Sequence, residues 1–127
     1  MNFNSVLIGS ENAEALIAYY TKLFGEPDYV ESGYAGWQIG VGNLSIGPHS
    51  EVHGTSAQPG RILLNIESDD VQRDFDRLTA AGAIVVREPY AMEGWPAEIK
   101  IATLADLDGN YFQLMSPYEM PSADHAG

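Results

Sequence analysis

The spacing of apolar side chains alternates along the chain between the period of a strand and that of a helix. Phe3 to Ile8 is a short, largely apolar run that predicts a first strand, and Gly9-Ser10 breaks it. Leu16, Tyr20 and Leu23 follow at i, i+4 and i+7, on one face of a helix. Ser10 is placed to cap that helix, and Glu11 and Glu14 fall in its first turn, where the helix dipole favours negative charge. Gly25 and Pro27 stop it. Tyr29 to Glu31, Trp37 to Val41 and Leu44 to Ile46 are then short β-like runs, separated by Gly33, Gly36, Gly40 and Gly42 and closed by Gly47, which predicts a three-stranded meander.

The order of elements then starts again. After a linker over 49–60, bounded by Pro48 and Pro59, Arg61 to Glu67 reads as a strand and Ser68-Asp69-Asp70 as the capped start of a second helix. Val71, Phe75 and Leu78 repeat the triad, and Gly82 ends the helix. Ala83 to Arg87, Glu98 to Leu104 and Tyr111 to Met115 read as three more strands, the last two joined by the turn residues Asp108-Gly109-Asn110. The expectation is an α+β fold of two βαβββ modules in one domain over 1–117, with module one at about 1–48, module two at about 61–117 and 118–127 a loose tail. Each module has one helix on one face of a small sheet, so the opposite faces are left to curl into a cup, and a cup between modules is a ligand site by geometry.

Composition narrows the partners. The 127 residues, 45% hydrophobic and 10% aromatic, suffice for one core. Eighteen acidic against six basic residues leave a net charge of −12, a field that repels nucleic-acid phosphates and anionic lipid headgroups, so neither nucleic acid nor membrane is expected as a partner. The same field tolerates neutral small molecules and attracts cationic ones. With no cysteine, disulfides, thiolate metal sites and a cysteine nucleophile are excluded. Met1-Asn2-Phe3-Asn4 lacks the basic flank and apolar stretch of a secretory leader, so a cytoplasmic location is expected.

The element order, together with Asp106-Leu107-Asp108-Gly109-Asn110-Tyr111-Phe112-Gln113-Leu114, resembles the vicinal oxygen chelate superfamily of glyoxalase I, bleomycin and fosfomycin resistance proteins and extradiol dioxygenases. Ala18 to Gly25 resembles the family's first-helix ending, and Ile66 to Val71 leading to Ala80-Ala81-Gly82 the opening of its second module. In metal-dependent members a His or Gln on a module's first strand and a Glu on its last strand hold a divalent metal, which polarises the substrate. By that resemblance the positions here are Ser5, with Asn4 in a slipped register, Leu63, and Gln113, while the last strand of module one offers Ser45, Ile46 and Gly47. Hydroxyl, alkyl and amide groups are weak donors or none, so the resemblance carries the fold and withdraws the metal. No metal or other cofactor is expected. Family members pair as dimers with cups completed across the interface, which implies a homodimer.

Candidate binding residues are then aromatic and polar. Trp37 and Tyr34 in the meander, with Tyr90 and Trp95 in or near the Tyr90 to Pro96 connection, offer planar faces to a flat or cationic ligand, and Glu98 and Gln113 add polar contacts. For each tryptophan the competing reading is structural: Trp37 fills the core and Trp95 pins a loop. His49, Glu51 and His53 alternate as metal ligands do, but their Pro, Ser and Gly neighbours describe an exposed linker; His125 falls in the tail. No Ser–His pairing, nucleophile elbow or phosphate loop is present, and no catalytic residue is assigned. The expected function is metal-independent sequestration of a hydrophobic small molecule such as an antibiotic, with cationic character favoured by the acidic field. The alternatives are a glyoxalase-type lyase or isomerase, or another metal-dependent enzyme of the superfamily, with an atypical site, and a regulatory domain whose cup takes a partner.

Overall fold

The structure is a computed structural model and describes residues 1–117. Tyr118, Met120 and His125, and with them the expected tail, lie outside the described residues. Module one runs β1 (Val6–Ser10), α1 (Ala13–Phe24), β2 (Tyr29–Glu31), β3 (Tyr34–Ile39) and β4 (Gly42–Pro48). Module two runs β5 (Leu64–Glu67), α2 (Val71–Ala80), β6 (Ile84–Ala91), β7 (Lys100–Ala105) and β8 (Tyr111–Met115). The two sheets have the same strand permutation, β1-β4-β3-β2 and β5-β8-β7-β6, each with its first strand parallel to its last. A parallel pair needs a crossover, and the helix of each module supplies it.

Both helical triads point into one shared core. Leu16, Tyr20 and Leu23 of α1 and Val71, Phe75 and Leu78 of α2 are buried with Trp37, Leu44, Ile46, Leu104, Phe112 and Leu114. Helix α1 packs on β4, β1 and β3, and α2 on β6, β7 and β8, so one face of each sheet is covered by helices and the other is not. Asp70 caps α2 by accepting from Arg73 N–H at 3.1 Å. Gly25 and Gly82 end the helices at φ of +88° and +109°, where a side chain would be strained.

Several boundaries differ from the sequence expectation for local reasons. Ser10 does not cap α1; it is the last residue of β1, the cap position is Asn12, and Ser10 Oγ accepts from Asn12 N–H at 3.0 Å. Glu11 therefore precedes the helix, and its carboxylate accepts from Gly54 N–H at 2.8 Å. Residues 59–61 form a 3-10 turn, which delays β5 to Leu64. Strand β6 runs on to Ala91 because register shifts on either side of Arg87 absorb its extra residues, so Tyr90 belongs to a strand.

What joins the modules is polar as well as apolar. The Asp106 carboxylate, 1% exposed, accepts from Asp108 N–H at 2.9 Å, Asn110 N–H at 3.0 Å and the Asn110 amide at 3.0 Å, which builds the tight turn between β7 and β8. It also accepts from the Tyr20 hydroxyl of α1 at 2.7 Å. Ser10 Oγ donates to Asp108 at 2.6 Å, and Tyr19 donates to Ala105 O at 2.7 Å while accepting from Ile84 N–H at 2.9 Å. Burial first, and the neighbouring Asp106 charge second, push the Tyr20 phenol far above the usual range. The most family-like string in the sequence is thus a structural latch between modules.

Candidate functional site

The helix-free face of the second sheet carries an ordered pattern. Phe112 and Leu114 face the helices, so Tyr111, Gln113 and Met115 face away. Cross-strand pairing then sets Arg87, Thr103, Gln113 and Asn65 side by side on β6, β7, β8 and β5, one row spanning the whole sheet. Gln113 Nε2 donates to Thr103 Oγ1 at 3.3 Å, which shows that the two share a face. The next row is Tyr90, Ile101, Met115 and Glu67. The Arg87 guanidinium lies 3.5 Å from the centroid of the Tyr90 ring and ties the two rows together.

On the first sheet the helix-free face is aromatic. Tyr29 pairs with Gly36 across β2 and β3, and a Cβ on Gly36 would sit 2.0 Å from the Tyr29 ring. A Cβ on Gly47 would sit 1.9 Å from the Tyr34 ring. Both rings therefore lie flat on bare backbone, and only glycine permits that approach. Tyr29 Oη hydrogen-bonds to Ser45 Oγ, and Tyr34 Oη donates to Pro48 O at 3.2 Å. A recess of about 390 Å³ opens between these tyrosines, Leu7 and Ser5.

The edge strands β1 and β5 flank a seam between the two faces. A cleft of about 600 Å³ lies along it, with Ser5, Leu63, Asn65 and Glu67 in its wall. A second hollow of about 330 Å³ is lined by the 52–56 loop, Leu7, Gly9, Asp108 and Tyr111. Pro48, His49 and Val52 carry the chain over the end of β1, where the His49 Cβ would meet a Cβ on Gly9 at 2.8 Å.

These positions sort the residues expected from sequence. Trp37 is corrected: at 3% exposure, with its indole N–H on Gly25 O at 2.8 Å, it is a core residue and offers no face to a ligand. Its neighbours along β3 alternate the other way, which is why Tyr34 is on the helix-free face. Tyr90 and Gln113 share the face of the second sheet, separated by one row and two strands. Trp95 and Glu98 are exposed and belong to the segment joining β6 to β7; Trp95 N–H closes a turn on Met92 O at 3.2 Å, and Glu98 O accepts from Ser116 Oγ at 3.3 Å. Tyr29, Asn65, Glu67 and Arg87 were not anticipated. A signal existed for Tyr29, since each tyrosine of the meander faces a glycine of the next strand, whereas Asn65 and Arg87 depend on a register that includes two bulge-like shifts.

The residues at the resemblance-derived metal positions do not fit a metal. Leu63 has no donor atom, Ser5 offers a neutral hydroxyl, and Gln113 offers a single neutral amide oxygen, its Nε2 donating to Thr103 Oγ1. Among the described residues no three His, Asp or Glu side chains converge. His49 accepts from Glu51 N–H through Nδ1 at 3.2 Å, and His53 sits 3.9 Å from Glu11, so the alternating trio faces different partners. Among the described residues no helix is long and apolar enough to cross a membrane.

Comparison with known proteins agrees with this architecture. The chain superposes on a glyoxalase-related enzyme from Fulvimarina pelagi with a TM-score of 0.72 at 21% identity, covering 97% of this chain and 94% of that one. A glyoxalase/bleomycin resistance protein/dioxygenase family enzyme from Burkholderia phytofirmans PsJN gives 0.68 at 22% identity, over 89% and 96%. TioX from Micromonospora sp. ML1 gives 0.64 at 18% identity, over 95% and 100%. At such identities the likeness is one of fold. No curated protein matches the chain in sequence. The model of the glyoxalase-like domain matches residues 5–115, nearly the whole described chain, and with two modules of shared strand order the chain belongs to the glyoxalase-like family of the vicinal oxygen chelate superfamily.

Proposed function

We propose that the protein binds a flat, hydrophobic small molecule such as an antibiotic on its helix-free sheet faces without a metal, and holds it rather than transforming it. The observation that carries this reading is the poor donor set at the positions the resemblance gives to metal ligands: Ser5 and Leu63 in the wall of the seam cleft, and Gln113 on β8, whose amide N–H donates to Thr103. Tyr29 and Tyr34, laid flat on glycine backbone, supply rigid apolar area at little entropic cost. The net charge of −12 favours the approach of cationic ligands and leaves neutral ones unaffected, an effect on rate that fades beyond a Debye length of about 8 Å at physiological salt. Exposed Leu7, Val30, Ile62 and Leu63 support a homodimer as the working unit of this reading, since burying such apolar surface against a second copy removes it from water.

A second reading, a lyase or isomerase, rests on Glu67, a carboxylate in the wall of the seam cleft beside Asn65. Native mass spectrometry of freshly purified protein, with elemental analysis, separates the two. The expected result is a dimer with a retained organic molecule and no stoichiometric metal. One Zn, Ni, Fe or Mn held per chain, or turnover of a thiohemiacetal substrate, would overturn the binding reading.

A further inference from the structure

The row Arg87, Thr103, Gln113, Asn65 places different polar chemistry at each strand of one sheet face. Thr103 is buried at its centre and its hydroxyl is met by Gln113, which leaves the Gln113 carbonyl, the Asn65 amide and the Arg87 guanidinium to act outward. The cation is unusual in its setting. Arg73 pairs with Asp74, Arg77 donates to Leu23 O and Arg61 bonds Gln58, whereas Arg87, with no ion pair among the described residues, has an aromatic ring as its neighbour. It is stacked on Tyr90 instead, which holds its plane and leaves its donor edge exposed. By register Glu67 lies in the next row and three strands away, roughly 14 Å at ordinary strand spacing, and Glu88, next in the chain within the register shift, makes no ion pair with Arg87. The adjacent side chains Tyr90, Ile101 and Met115 form an apolar bank along the polar row.

We infer that this row is an oxyanion subsite, in which Arg87 takes the carboxylate of a flat organic acid, Gln113 and Asn65 hydrogen-bond its polar edge, and Tyr90, Ile101 and Met115 carry its ring. The inference rests on the reading that the helix-free faces hold a small molecule, and it names that molecule's class. Within the screening length of physiological salt the local cation outweighs the acidic surface: the field governs which molecules arrive quickly, and Arg87 governs which group is retained. A planar, always-charged fork suits a carboxylate, which accepts two parallel N–H bonds from it.

The test titrates the full chain with 2-naphthoate and 2-naphthamide, which share a ring and differ in charge, following the Thr103 backbone and Gln113 side-chain amide signals by NMR at physiological salt. The acid should bind roughly fivefold more tightly, as expected of one exposed charge pair. In Arg87→Gln that preference should vanish, the affinity for 2-naphthoate falling to that for 2-naphthamide measured on the same variant, and Arg87→Lys should restore part of it. Equal binding of the two probes by the unmodified protein, or a preference that survives Arg87→Gln, overturns the subsite and leaves metal-free binding standing. Failure of both probes to bind at millimolar concentration overturns the subsite and the binding reading together.

Discussion

Replacing Tyr20 with Phe removes a single oxygen from the centre of the molecule, and the structure sets the size of the effect. The hydroxyl donates to a fully buried carboxylate at 2.7 Å, and the ring packs between Phe24, Trp37 and Phe112, so Phe fills the same space. A hydrogen bond to a charged group contributes about 1.5 to 3 kcal/mol. Asp106 keeps its bonds to Asp108 N–H and Asn110, which places Tyr20→Phe near the lower figure, about 1.5 to 2 kcal/mol. For a chain of this size that is a fall in Tm of roughly 6 to 10 °C. Urea unfolding at pH 7 measures it, and a loss below about 0.5 kcal/mol would show that the latch adds nothing. A second signature separates the latch from packing. Because burial raises the native phenol pKa, the unfolded chain loses this proton above about pH 10 while the native state keeps it, so the stabilisation is present below pH 10 and lost as pH rises further. The stability gap between the native protein and Tyr20→Phe should narrow above pH 10; a constant or widening gap contradicts the assignment.

The same latch explains which parts of the molecule were legible in the sequence. The helical triads, the terminating glycines and the Asp-x-Asp-Gly-Asn turn are local patterns whose structural roles are complete within a few residues, so the module order could be read directly. Ser10 misled because strand end and helix cap call for the same residue type; its hydroxyl serves Asn12 and, across the modules, Asp108. Ser68 occupies the matching place in module two, where its hydroxyl accepts from Asp70 N–H and donates to Asp74 within its own helix. Trp37 was ambiguous because a strand residue's face is set by register, and Ala35 and Trp37 happen to share the core side. The Arg87 row is assembled by three strand pairings between residues as far apart as Asn65 and Gln113, with shifts on both sides of Arg87, and no local periodicity encodes that.

Three further outcomes follow from particular contacts. Gly47→Ala would drive its new methyl into the Tyr34 ring and should cost about 1 to 3 kcal/mol in urea unfolding, most of it recovered in Gly47→Ala with Tyr34→Ala; a harmless single variant would mean the ring does not lie on the backbone. The Asp74 carboxyl is held below its usual range chiefly by the Ser68 hydroxyl, with Arg73 adding to it against partial burial, so its contribution is present above about pH 4 and lost as pH falls; Ser68→Ala should flatten that part of the acid-unfolding curve, and an unaltered curve would remove Ser68 as the cause. Trp37→Phe separates core from site, because the indole is buried, packs on Tyr20 and spends its N–H on Gly25 O: stability should fall by about 1 to 2 kcal/mol while affinity for a bound aromatic ligand is unchanged. If affinity instead drops about tenfold in a variant that remains folded, Trp37 reaches the ligand through the sheet, and the assignment of binding to the helix-free faces fails.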